Sequence, residues 1–175
     1  MRLIRSLTLL LALFAPAVFA EGQYQVDMIL VRQNTVPAIT TAVAPEDWAA
    51  GAPAIAAANE RQPGLVAEVE KLQASGDYTV LLSKAWVQTL DETPSAVAIS
   101  TGEQQFGHFP IEGNLNLSLE KTSNVDANFW VNQFDDNGYL TASEELSKKS
   151  KTPRNGDLIF LDGGHLALLI KVTPL

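Results

Sequence analysis

The sequence predicts an α+β domain built on a mostly antiparallel β-sheet of about six or seven strands, with one main helix packed on it. Three observations carry that expectation. Two-residue alternation runs through Leu115, Leu117 and Leu119 and again through Val125, Ala127, Phe129 and Val131, the pattern of half-buried strands. One good stretch with helical spacing stands out, Leu65, Val66, Val69 and Leu72, bracketed by Pro63 and Gly76. Turn-forming sets, Asp135-Asp136-Asn137-Gly138 and Asp162-Gly163-Gly164, punctuate the second half.

The elements follow in chain order. Residues 1–20 read as a secretory signal peptide: Arg2 and Arg5 head a largely apolar run from Leu7 to Val18, and Val18 and Ala20 occupy the −3 and −1 positions of a cleavage site after Ala20. The run is too short to span a bilayer, so the mature chain is expected to have no membrane insertion. Gln23 to Arg32 reads as a first strand buried on both faces, with Tyr24, Val26, Met28 and Leu30 on one side and Ile29 and Val31 on the other. Residues 33–61 shift to Ala, Pro, Thr and Gly and are expected to wrap the domain as a long irregular segment anchored by Trp48. After the helix, Tyr78 to Gln88 reads as a central strand and Val97 to Ser100 as a short one. The alternating pair follows, joined by a turn at Lys121 to Asn124. Residues 141–156 are polar and ambiguous, and Leu158 to Leu161 with Leu166 to Val172 close the chain as a hairpin.

Composition narrows the chemistry. The mature stretch, residues 21–175, suits a single domain with its own core. It has no cysteine, which excludes a disulfide framework, a thiolate metal site and a thiol nucleophile. The leader takes two of the 12 basic residues, leaving ten against 20 acidic ones, a net charge of −10. Such a field does not favour nucleic acid or an anionic membrane.

Catalytic patterns are poor. Ser118 and Lys121 match a Ser-x-x-Lys spacing, but they sit at the end of an alternating strand and the partner motifs of that chemistry are missing. His108 and His165 are far apart, and Asp162 beside His165 reads as a turn residue, with Gly163 and Gly164 at positive φ, rather than as a metal ligand. The Asp135 turn lacks the spacing of a calcium loop. No cofactor is implied. Two features suit binding better. Trp130 shares a strand face with Asp126, Asn128 and Asn132, where a ring could stack on a sugar while the amides bond its hydroxyls; the alternative is a covered, structural Trp130. Lys148, Lys149, Lys151 and Arg154 concentrate positive charge in an acidic chain, as an anion site or as a solvated loop.

Several stretches together resemble the CsiV family of peptidoglycan-binding, cell-shape integrity proteins. They are Tyr24 to Val31, Trp48 in its Pro-Glu-Asp-Trp setting, Tyr78 to Gln88, the Ile111-Glu112-Gly113 strand opening, Gly156 to Asp162, and Leu169 to Pro174. The chain departs from the family in lacking a longer insertion after the first strand, in its lysine-rich approach to the last hairpin, and in Phe160 where Tyr is usual. The resemblance implies a periplasmic, non-enzymatic protein of Gram-negative bacteria that binds peptidoglycan. It also implies a partner, the outer-membrane lipoprotein that activates a bifunctional penicillin-binding protein. The expected function is therefore wall binding that influences cell-wall synthesis and cell shape, with Trp130, Asn128, Asn132, Lys148, Lys149, Lys151 and Arg154 as the expected ligand-binding residues. The rival readings are a small cell-wall hydrolase using carboxylates such as Glu144, and a purely protein-binding scaffold.

Overall fold

A computed structural model describes residues 22–40, 42–120, 122–152 and 156–175. The predicted leader, Lys121 and Arg154 lie outside these residues. Among the described residues there are nine strands in two antiparallel sheets, more than the six or seven expected, and one α-helix. The first sheet runs β2 (Glu60–Arg61), β3 (Tyr78–Leu90), β1 (Gly22–Gln33), β9 (Leu166–Pro174), β8 (Leu158–Asp162). The second is a meander of β4 (Ser95–Thr101), β5 (Ile111–Leu119), β6 (Ser123–Phe134) and β7 (Leu140–Thr152). No helix among the described residues is long and apolar enough to cross a membrane.

The two sheets face each other, and the alternation of their strands explains why. Val26, Met28 and Leu30 of β1 with Leu82 and Trp86 of β3 meet Leu115 and Leu117 of β5 and Val125, Ala127 and Phe129 of β6 in one continuous core. Trp86 is fully inside, and its indole N–H donates to Gln88 Oε1 at 2.8 Å, so its polar atom is satisfied as well. The other face of β1 is buried too. Ile29 and Val31 pack with Ala167, Leu169 and Leu65, under a helix, α1 (Val66–Ser75), which contributes Val69 and Leu72. Residues 65, 69 and 72 form the inward stripe, whereas Val66 lies about 100° round the helix from Leu65 and is exposed. Gly76 ends α1 in the left-handed region, φ 73°, where a side chain would be strained.

β7 replaces the ambiguous polar stretch of the sequence reading. Its core-facing positions, in register with Val131, Phe129, Ala127 and Val125, are Glu144, Leu146, Lys148 and Ser150, so only Leu146 carries an apolar signal. Glu144 is tolerated there because it is fully paired. Arg32, on the core face of β1, donates Nε and a terminal nitrogen to its two oxygens at 2.9 and 2.6 Å, and His165 Nε2 lies 2.7 Å from Oε2. The β8–β9 turn also corrects one detail. Gly164 has positive φ, 90°, but Gly163 does not; a Cβ on Gly163 would stand 2.4 Å from a Leu146 methyl group and 2.7 Å from the Leu166 carbonyl, so close approach is what demands glycine. Asp162 completes the turn by accepting from Gly164 N–H at 2.8 Å.

Phe129 has no exposed surface and sits among both sheets, so Phe129→Ala is expected to destabilise the fold by about 3–5 kcal/mol in urea unfolding. Arg32→Met is expected to lower stability by about 1–3 kcal/mol, less than for a fully buried pair because Arg32 is partly exposed and His165 still contacts the acid.

Candidate functional site

With the aliphatic residues of β5 and β6 turned inward, their partners must point out, and the outer face of the meander is a lattice of polar rows. Ser118, Asn124 and Lys151 form one row; Asn116, Asp126 and Lys149 the next; then Asn114, Asn128 and Ser147; then Glu112, Trp130 and Glu145; and last Asn132 with Ser143. The side chains bond along and across these rows. Ser147 Oγ donates to Asn128 Oδ1 at 2.7 Å, Asn128 Nδ2 donates to Asn114 Oδ1 at 3.2 Å, and Asn124 Nδ2 donates to Ser118 Oγ at 3.1 Å.

One end of this face is covered. Ala42 bridges Ser143, the Ala44 N–H donates to Ser143 Oγ at 2.8 Å, and Asn114 Nδ2 donates to the Trp48 carbonyl at 2.6 Å. Residues 42–48 thus form a strap fixed to the rows on either side of Trp130, which is only 9% exposed. Beneath the strap, Asn132 is wholly engaged: it donates to Phe109 O at 2.8 Å and Glu112 Oε1 at 2.7 Å, and accepts from Ser143 Oγ at 2.6 Å. Glu112, with no exposed surface, also accepts from the Phe109 N–H at 2.8 Å and has His108 Nδ1 at 2.7 Å. A buried carboxylate with this many donors is held as a structural anchor.

The other end is open. A cleft of about 430 Å³ lies there, lined by Pro94, Asn116, Leu117, Ser118, Asn124, Val125, Asp126, Lys149, Ser150 and Lys151. That volume falls in the roughly 300–1,000 Å³ range of small-ligand sites. Its polar lining mixes amides and a hydroxyl with two lysines and one carboxylate. Lys149 Nζ lies 2.8 Å from Asp126 Oδ2. The hydrogen bond to Asp126, and then its charge, raise the Lys149 ammonium above the ordinary lysine value of 10.5. Asn116 Oδ1 is buried with no hydrogen-bond partner among the described residues, an acceptor left for something else to fill.

Of the residues singled out from sequence, Asn128, Trp130, Asn132, Lys149 and Lys151 share the outer face, and Lys149 and Lys151 line the cleft. Trp130 and Asn132 stand under the strap, and Asn128 is tied into the lattice between the two ends. Lys148 pairs with Ala127 and belongs to the opposite side of β7, exposed at the sheet edge. Asn116, Ser118, Asn124 and Asp126 escaped the sequence reading as cleft residues, although their alternation with Leu115, Leu117, Val125 and Ala127 already put them on one face. Asp126 is the cleft's one carboxylate among the described residues; Glu112 and Glu144 are bonded elsewhere.

Compared with known proteins, the chain matches the family model described as peptidoglycan-binding protein, CsiV, over residues 2–62 and 52–175. No curated protein and no solved structure matches it significantly.

The Asp126–Lys149 pair predicts a pH response. The raised lysine value means that the pair's contribution to folding is complete below about 10.5 and is lost as pH climbs through the folded-state value. In Asp126→Asn, the Lys149 side-chain titration followed by NMR is expected to move down toward the ordinary value; an unchanged midpoint would show that Asp126 does not hold this ammonium.

Proposed function

The chain belongs to the CsiV family of peptidoglycan-binding proteins, and from that premise we propose that it is a periplasmic, non-enzymatic protein that holds peptidoglycan in the open cleft of the meander. Family membership places it in the cell envelope; export through a leader cleaved after Ala20 is part of the proposal. The observation that carries the reading is the lining of the cleft. Asn116, Asn124 and Ser118 offer donors and acceptors suited to sugar hydroxyls and acetamido groups. Lys151 lies beside them, its charge not taken up by any carboxylate among the described residues, and suits a stem-peptide carboxylate. Lys149, paired with Asp126, is a largely exposed ammonium on the same surface. In a chain of strongly negative net charge, these local contacts oppose the overall repulsion between protein and wall.

In this reading Trp130 and Asn132 shape the face from beneath the strap, Asn128 braces the lattice, and Lys148 adds positive charge on the other side of β7, while Arg154 is a candidate from sequence alone. The protein influences wall synthesis and cell shape through a protein partner, the outer-membrane lipoprotein activator of a bifunctional penicillin-binding protein. That link rests on family resemblance. A hydrolase would need paired acids or an activated nucleophile at the cleft, and Asp126 is committed to Lys149 there.

Sedimentation of purified sacculi with the mature protein tests the proposal. Wild type is expected to co-sediment, more weakly as salt rises. Lys149→Ala with Lys151→Ala is expected to weaken binding on the order of tenfold, as for loss of one or two charged hydrogen bonds. Trp130→Ala is expected to act through stability more than through binding. Absence of co-sedimentation at low and moderate salt would overturn the proposal, and release of soluble fragments would favour a hydrolase.

A further inference from the structure

The opposite end of the meander carries a second surface of different chemistry. Gln105 and His108 close a two-residue hairpin, with N–H to carbonyl bonds of 2.8 and 3.0 Å in the two directions. Its central residues, Phe106 and Gly107, both have positive φ, 47° and 94°. Glycine or asparagine is the usual first residue of such a turn, and a phenylalanine there holds a strained backbone. The strained residue is not spent on the core: Phe106 is 69% exposed. Its ring stacks on Tyr139, itself 57% exposed, with centroids 4.7 Å apart and planes within 1° of parallel.

The support beneath the pair is rigid. The Trp48 indole donates to Gly107 O at 3.2 Å and meets Phe109 edge-on, while Glu112 grips the Phe109 N–H and His108. The Tyr139 turn is fixed by Asp135 Oδ1, which accepts from the Asn137 and Tyr139 N–H groups at 2.9 Å each. Gly138 lies against Gln105, so the two turns touch. The charge of this tip has one sign. Residues 43–51, 103–110 and 132–140 hold Glu46, Asp47, Glu103, Asp135 and Asp136, all exposed, and no Lys or Arg.

We propose that the Phe106–Tyr139 pair and its acidic rim form a docking surface for a basic segment of a partner protein. Arginine or lysine side chains lay their stems and charges against the outer ring faces, and the surrounding carboxylates take the remaining charge. The carboxylate-bearing wall polymer is disfavoured at this tip by the same acids. The surface and the cleft are separated along β5 by roughly 16–23 Å, the five to seven residues from Ile111 to Asn116–Ser118 at about 3.3 Å each, and the proposal does not depend on the wall-binding reading.

The test uses the mature protein and a short labelled peptide alternating Arg and Leu, with its Glu-for-Arg counterpart as control. The basic peptide is expected to bind, shifting amide resonances of residues 103–108 and 135–139, while the acidic one does not. Phe106→Gly removes the ring and relieves the positive φ, so it is expected to melt no lower than wild type while binding the peptide on the order of tenfold more weakly. Glu103→Gln with Asp136→Asn should also weaken binding and its salt dependence. Sacculus co-sedimentation should be unchanged in Phe106→Gly, and peptide binding unchanged in the cleft-lysine variant. Equal binding of either peptide, full binding by Phe106→Gly, no binding by wild type, or loss of sacculus binding in Phe106→Gly would each overturn the proposal.

Discussion

The burial of alternate residues of β5 and β6 against the first sheet is the constraint on which the rest of the molecule depends. Leu115, Leu117, Val125, Ala127 and Phe129 meet Val26, Met28, Leu30 and Trp86 in the larger of the two apolar clusters among the described residues. A strand cannot bury one set of side chains without exposing the other, since the period is two. A one-residue slip would drive Asn114, Asn116, Asp126 and Asn128 into the core without partners. The register is therefore fixed energetically, and the polar lattice on the outer face is its direct consequence.

Buried acids then fix what the two sheets alone leave open. Glu144 joins β1, β7 and the β8–β9 turn through Arg32 and His165. His165 Nδ1 also lies 2.6 Å from the Val36 carbonyl, so the ring ties the start of the long segment after β1 to the same acid. Glu112 gathers His108, Phe109 and Asn132 and thereby positions the β4–β5 loop, while Ser143 carries the same network to the strap. Both acids bond inward to several elements at once. Removing one partner would leave a buried charge exposed to its own desolvation penalty, which makes these groups specifiers of geometry more than sources of net stability.

The legible parts of the fold are those where a pattern reports burial directly. β1 read as two-faced because Ile29 and Val31 interrupt the polar phase, and the helix read from Leu65, Val69 and Leu72 with Gly76 to stop it. β7 was illegible because an edge strand buries little: Glu144, Lys148 and Ser150 hold the inward phase, so period two carries no hydrophobic contrast. The division into two sheets was hidden for a related reason, since local alternation says which face is buried and not what buries it. The site was half legible. Trp130 among amides looks like an open sugar platform until residues 42–48 are laid across it, and that strap meets the sheet through Ser143, about a hundred positions along the chain, with no local sign of the contact.

Polar rows running the length of one sheet also explain how a small acidic domain keeps two unlike surfaces apart. Basic side chains on the outer face of the meander stand at the cleft end, Lys149 and Lys151, where Asp126, Glu92 and Glu120 also lie, whereas the strapped end holds Glu46, Asp47, Glu103, Asp135 and Asp136 with no Lys or Arg. Exposed charges separated by more than about 8 Å are largely screened at physiological ionic strength, so neither surface cancels the other along β5. Placing both on one continuous hydrogen-bonded sheet, with no hinge between them, fixes their spacing at the cost of mutual adjustment. A wall strand in the cleft and a basic partner on the aromatic tip would then be held at a set separation by the backbone itself, and the strap that covers Trp130 is what turns the far end of a sugar-like face into a support for protein contact.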